Sequence, residues 1–241
     1  MNKNILFTLL FLVGLSFISC GVSNKKIMRY QHLEEGVDNP TTVEELKDAI
    51  KKYSERAADI QLANSQIGIW YKILGTRYIE QKMYGEALKC FQEALKFYPT
   101  NQNLYYYVGV CAGYMSHAAM DFSGSGNHEA RYNYLKLAEE AYLRAIEIED
   151  RYVRALYGLG VLYVFELEEP EKAIPHLEKL LTIDTKNLDA MFVLARAYYS
   201  TYEFEKSAEM YDKIIASTKS KETKATAEEN KKIVLDAAYS N

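Results

Sequence analysis

Four stretches of this chain carry the same set of residues at the same spacing. Tyr71, Leu74, Gly75 and Tyr78 align with Tyr105, Val108, Gly109 and Ala112, then with Leu156, Leu159, Gly160 and Tyr163, and with Met191, Leu194, Ala195 and Tyr198. Each set is followed by a second one, aligned as Ala87, Phe91, Ala94; Ala138, Tyr142, Ala145; Ala173, Leu177, Leu180; and Ser207, Tyr211, Ile214. Steps of three and four residues put each set on one face of a helix, so one unit is two helices and a turn. A unit that small cannot bury its apolar face alone, and stacking on its neighbours does so. The repeat therefore restricts the chain to a linear array of helix pairs. Gly75 to Ala87, Gly160 to Ala173 and Ala195 to Ser207 are separated by 12, 13 and 12 residues, but Gly109 and Ala138 by 29. The insertion of about 17 residues, around 115–132, predicts that both helices of unit two run about two turns longer than their counterparts, with the polar, glycine-containing run 121–127 between them.

Composition agrees with helices. Only four prolines and 12 glycines occur in 241 residues, too few for a turn-rich β architecture. A formal charge of -4 with mixed signs gives no basic footprint to neutralise phosphates, which argues against nucleic acid as a partner.

The aligned positions resemble the tetratricopeptide repeat, a helix–turn–helix of about 34 residues with large, Leu, Gly and Tyr positions on its first helix and Ala, aromatic and Ala positions on its second. The resemblance covers about residues 68–217 and weakens in unit four, where Ala195 and Ser207 depart from the usual residues. It implies an all-α fold: a right-handed α-solenoid of about four helix-turn-helix repeats, with an N-terminal helix at 43–67 and a C-terminal capping helix within 218–241. The recurring glycines each cost about 1 kcal/mol relative to Ala inside a helix, and close helix–helix approach explains them. Thr41 or Thr42 is placed to cap the N-terminal helix, whose stripe would be Leu46, Ile50, Tyr53 and Ala57.

In this repeat family first-helix residues line a concave groove that holds a protein or peptide. By position these are Lys72, Thr76 and Ile79 in unit one; Asn103, Tyr106, Val110 and Tyr114 in unit two; Arg154, Tyr157, Val161 and Val164 in unit three; and Asp189, Phe192, Arg196 and Tyr199 in unit four. Tyr106, Tyr157 and Phe192 also fall where the family uses an aromatic for packing, so both roles are open for them. The arginines imply an acidic or C-terminal feature in the partner.

The beginning of the chain sets an expected compartment. The apolar run 5–18 is 14 residues, broken by Thr8, Gly14 and Ser16, and is followed by Ser19-Cys20-Gly21. This is short for the roughly 20 residues of a membrane-spanning helix and suits a secretory signal peptide at 1–19. Phe17-Ile18-Ser19-Cys20 resembles the bacterial lipobox, although the family usually has Leu in place of Phe17 and a smaller residue than Ile18; relaxed versions occur in spirochaetes. The resemblance implies a lipid on Cys20, membrane attachment through the N-terminal lipid, and a place in the bacterial cell envelope facing the periplasm or the outer surface; the polar stretch that follows, with no sustained helical period and with Gly36, Asn39 and Pro40, reads as a tether over 20–42.

Catalytic chemistry finds little support. The four histidines are scattered; His117, Asp121, His128 and Glu129 cluster near the insertion but lack a metal-ligand spacing. Gly124-Ser125-Gly126 lacks the Lys and Ser/Thr of a phosphate loop. No cofactor or catalytic residue is expected. Cys90 and Cys111 lie at similar depth from their shared turn, as a disulfide or as two small core residues. Pro175 is expected in the opening turn of its helix. The functional reading is a membrane-anchored interaction scaffold. The alternatives are an outer-membrane assembly or pilot factor, a surface adhesin, or a ligand-binding subunit serving a transporter.

Overall fold

The computed structural model describes residues 36, 37, 40–121 and 128–240; the stretch expected to be a signal peptide, Cys20, most of the expected tether and Phe122 with its glycine-containing neighbours lie outside the described residues. Nine α-helices and no strand occur among the described residues: α1 (Val43–Glu80), α2 (Tyr84–Phe97), α3 (Gln102–Asp121), α4 (His128–Ile148), α5 (Val153–Val161), α6 (Pro170–Ile183), α7 (Leu188–Ser200), α8 (Phe204–Ser217) and α9 (Lys221–Ser240), with a π-helical turn, Leu162–Glu166, after α5. Two compact units divide between Ala63 and Asn64. No described helix is long and apolar enough to cross a membrane.

In the first unit, α1 begins with a reciprocal cap. Thr42 Oγ1 accepts from the Glu45 amide at 3.2 Å, while Glu45 Oε2 accepts from the amides of Thr41 and Thr42, each at 2.9 Å. Hydrogen bonds from the Thr42 backbone, then the Thr41 backbone, hold the Glu45 carboxyl well below its ordinary value, at about 2. A depressed carboxyl contributes stability above its unfolded value, and that contribution is lost as pH falls towards the folded one. The first turn of α1 should therefore fray between about pH 4.5 and 2. Glu45 side-chain NMR should titrate with a midpoint near 2; an ordinary carboxylate midpoint would contradict the cap. The stripe expected on this helix is not its buried face: Leu46, Ile50 and Tyr53 are exposed, and Ala49 is buried. Nor does the helix stop before the repeats. α1 continues to Glu80 and itself supplies the first helix of repeat one.

In the second unit each repeat is a helix pair, α1/α2, α3/α4, α5/α6 and α7/α8, followed by α9, which buries Ala227 and Val234. The recurring glycines are explained by what they face. A methyl group on Gly75 would stand 2.8 Å from the Phe91 ring, on Gly109 2.6 Å from the Tyr142 ring, and on Gly160 2.5 Å from Leu177. The partner is the same position of the second helix each time, so small and large residues interlock across each pair. In unit four Ala195 and Ser207 keep the approach close in another way. Ser207 is fully buried, and its hydroxyl donates to the Ala195 carbonyl at 2.8 Å, which offsets the cost of a buried polar group.

The turns inside the repeats are also shared. Lys82, Glu168 and Tyr202 all take positive φ, 56–62°, the left-handed residue that ends a helix. In units one and four the Met83 and Glu203 amides then bond to Tyr78 and Tyr198 carbonyls five residues back; in unit three Glu169 bonds to Tyr163, six back. The one extra residue of unit three is absorbed as the π-turn, through the Leu167-to-Leu162 bond at 3.0 Å. α3 and α4 have 20 and 21 residues against 13 or 14 in α2 and α6–α8. Pro175 is the sixth residue of α6, beyond the opening turn, so one interior amide bond is given up. Cys90 and Cys111 are free and buried, and burial pushes the Cys111 thiol up to about 12. They are core residues, not a disulfide.

Candidate functional site

First helices α3, α5 and α7 lie side by side. Between α3 and α5 runs a crease of about 390 Å³. One wall is a single face of α3, with Tyr106, Val110, Gly113, Tyr114 and His117 at helical spacing; the other is Arg154, Tyr157, Gly158 and Val161 of α5, continued by Leu162 and Glu166 of the π-turn. The floor is Tyr142 of α4, whose ring reaches between the two first helices because Gly109 and Gly158 carry no side chain to block it. Burial pushes the Tyr142 hydroxyl far above the ordinary tyrosine value, and does the same more weakly to Tyr106 and Tyr157. The rings are neutral hydrogen-bonding surfaces at any physiological pH.

Charge is placed at the two ends. At one end the Arg154 guanidinium lies 5.9 Å from the centre of the Tyr106 ring, a cation–π distance, and among the described residues no carboxylate pairs with it. Its positive charge opposes the upward shift that burial gives Tyr106 and Tyr152. At the other end Glu166 meets His117 Nε2 at 3.2 Å and Arg131 Nη2 at 3.1 Å. The π-turn brings Glu166 there, and α3 reaches it because it is long enough to include His117.

The residues anticipated from the repeat divide into three groups. Tyr106, Val110, Tyr114, Arg154, Tyr157 and Val161 line the crease. Tyr114 also stacks on Tyr84, with ring centres 4.0 Å apart, and Asn103 Oδ1 accepts from the Tyr152 hydroxyl at 2.7 Å beside it. A second group belongs to α7: Phe192 packs edge-on against Tyr211, Arg196 lies 5.4 Å from the Tyr199 ring centre, and Asp189 is exposed in the first turn. Lys72, Thr76, Ile79 and Val164 lie apart from the crease. Lys72 is exposed, Thr76 bonds back to the Lys72 carbonyl, Ile79 packs on the core of units one and two, and Val164 packs beside the main core.

Six lining residues were not anticipated: Gly113, His117, Tyr142, Gly158, Leu162 and Glu166. Tyr142, the aromatic position of the second helix of unit two, is buried against Gly109 and is the floor of the crease as well. Gly113 is a helical glycine outside the repeat signature, a signal that was available. Glu166 depends on the π-turn, which appears in the sequence only as one surplus residue between Gly160 and Ala173. Among the described residues no three His, Cys, Asp or Glu side chains are grouped to hold a metal, and His117 faces Glu166 instead.

Residues 69–101 and 164–222 match models of the tetratricopeptide repeat. The chain is 25% identical over 221 residues to a TPR repeat-containing protein of Borreliella burgdorferi, spanning 90% of this chain and 93% of that one. Among solved structures, YrrB, described as a TPR protein with an unusual peptide-binding site, superposes with a TM-score of 0.54 at 23% identity, over 78% of this chain and 85% of its own. MamA of Desulfovibrio magneticus RS-1, from residue 41 onward, superposes with a TM-score of 0.51 at 16% identity, over 72% and 96%. These structural likenesses bear on the fold.

Proposed function

We propose that this tetratricopeptide-repeat protein is a scaffold that holds a protein or peptide partner against the first helices α3, α5 and α7, and performs no chemistry on it. The observation that carries the reading is the crease between α3 and α5, aromatic along its walls and supplied with an arginine free of any described carboxylate. Arg154, and Arg196 on the next first helix, suit a partner with acidic groups, each gripped by the planar guanidinium. The peptide-binding site described for YrrB is in keeping with this use of the fold. A photo-crosslinking residue in place of Val161 should trap a partner in cells, whereas one in place of exposed Glu140 on α4 should not. Equal trapping at both positions would rule out the groove.

The reading includes attachment to a membrane of the bacterial cell envelope through a lipid on Cys20. The motif at Phe17-Ile18-Ser19-Cys20 supports it, and each acyl methylene contributes about 0.8 kcal/mol, so two or three chains hold permanently. Cys20→Ala should give an uncleaved precursor or a soluble form. A cleaved variant that still partitions into detergent would exclude the lipid.

A further inference from the structure

Gly113 is poorly explained by folding alone. It lies in the middle of α3, where glycine costs about 1 kcal/mol relative to alanine, yet a methyl group built on it would meet no heavy atom within 4 Å. The nearby glycines behave in the opposite way, since methyl groups on Gly109 and Gly158 would stand 2.6 and 2.7 Å from the Tyr142 ring. Those two admit a neighbour of this chain. The missing side chain at 113 instead leaves open space in the crease, which Tyr106, Tyr114, Tyr142 and Tyr157 also line.

We propose that Gly113 keeps open a specificity pocket for one large aromatic side chain of the peptide partner. The inference rests on the groove reading above and adds the kind of residue the groove selects. A volume of about 390 Å³ lies at the lower end of ligand pockets, in scale with a ring system and the backbone beside it. Tyrosine walls offer edge-on and offset-stacked contacts that an aliphatic side chain cannot use, and the Arg154 guanidinium at the rim can lie on a ring face. Glu166, tied to His117 and Arg131, closes the far end, so length as well as shape is selected.

The test uses the neutral probes N-acetyltryptophanamide, N-acetylleucinamide and N-acetylalaninamide, read by the amide NMR signals of Gly113 and Gly158. The tryptophan probe should shift both signals and bind at least tenfold more tightly than the alanine probe, with the leucine probe between. Gly113→Leu should fill the pocket and weaken the tryptophan probe at least tenfold while keeping or raising the melting temperature. Gly113→Ala should melt higher than the unsubstituted protein and bind in between, so folding and binding move in opposite directions. Equal binding of the three probes, or undiminished tryptophan binding by folded Gly113→Leu, would overturn the proposal. Undiminished partner crosslinking at Val161 in a Gly113→Leu background would overturn the pocket and leave the groove standing. Absent crosslinking in the unsubstituted background would remove the groove reading, and the probe titration then decides the pocket independently.

Discussion

Phe91→Ala should destabilise the repeat array by about 3–5 kcal/mol, the range for truncating a fully buried Phe. The ring is completely buried, presses on Gly75, and stacks on Tyr107 with centres 4.9 Å apart. Little can move in to fill the space, because the backbone of α1 at Gly75 offers no side chain. Adding Gly75→Ala to Phe91→Ala should recover part of the loss: the new methyl occupies vacated space, and Ala is favoured over Gly in a helix by about 1 kcal/mol. In the unsubstituted protein the same Gly75→Ala change should destabilise through overpacking. Because each repeat contacts only its neighbours, hydrogen exchange should accelerate first in α1 and α2 and last in α7 and α8. Uniform acceleration, or a loss under 1 kcal/mol, would mean that the interlocking of small and large positions does not hold unit one to the array.

That interlocking was legible in the sequence because it repeats. Gly75, Gly109 and Gly160 share one position of the first-helix set, and Phe91, Tyr142 and Leu177 share one position of the second; a costly residue that recurs demands a packing partner. The length of α3 and α4 was legible too, as a departure from the 12-residue spacing. Other features were hidden for definite physical reasons. Leu74 occupies the same signature position as Val108, Leu159 and Leu194, which are 3, 0 and 2% exposed, yet is itself 43% exposed; it stands in the first unit of the stack, and position in the stack is not written in the motif. The π-turn costs only one residue in the count, so its consequence, delivering Glu166 to His117, could not be foreseen. For the candidate site, alignment placed Tyr106, Val110 and Tyr114 on one face of α3 and Arg154, Tyr157 and Val161 on one face of α5, the faces that line the crease, since residues on one helical face are fixed by spacing. Lys72, Thr76, Ile79 and Val164, drawn from the same alignment, are not among the residues that line the crease. Alignment missed Tyr142, because a residue that packs a pair together can also floor the space between pairs.

The second large effect concerns binding. Arg154→Ala/Tyr157→Ala removes a cation with no described carboxylate partner and an aromatic ring from one wall of the crease. Anchors of these two types each contribute about 1–2 kcal/mol or more when buried by a partner. Together they should weaken capture by roughly 100-fold. Stability should change little, since Arg154 is exposed and Tyr157 only half-buried. A purely structural role for these side chains predicts the reverse, a lower melting temperature with unchanged capture. Phe192→Ala, which removes an edge-on contact with Tyr211, should show some of each.

The most direct test of the scaffold reading measures both quantities on one protein: the affinity of the partner trapped through Val161 and the melting temperature, for the unsubstituted chain and for Arg154→Ala/Tyr157→Ala. A groove that holds its partner through the α3–α5 crease predicts about a 100-fold loss of affinity with the melting temperature nearly unchanged. Full affinity in the folded double variant would contradict it.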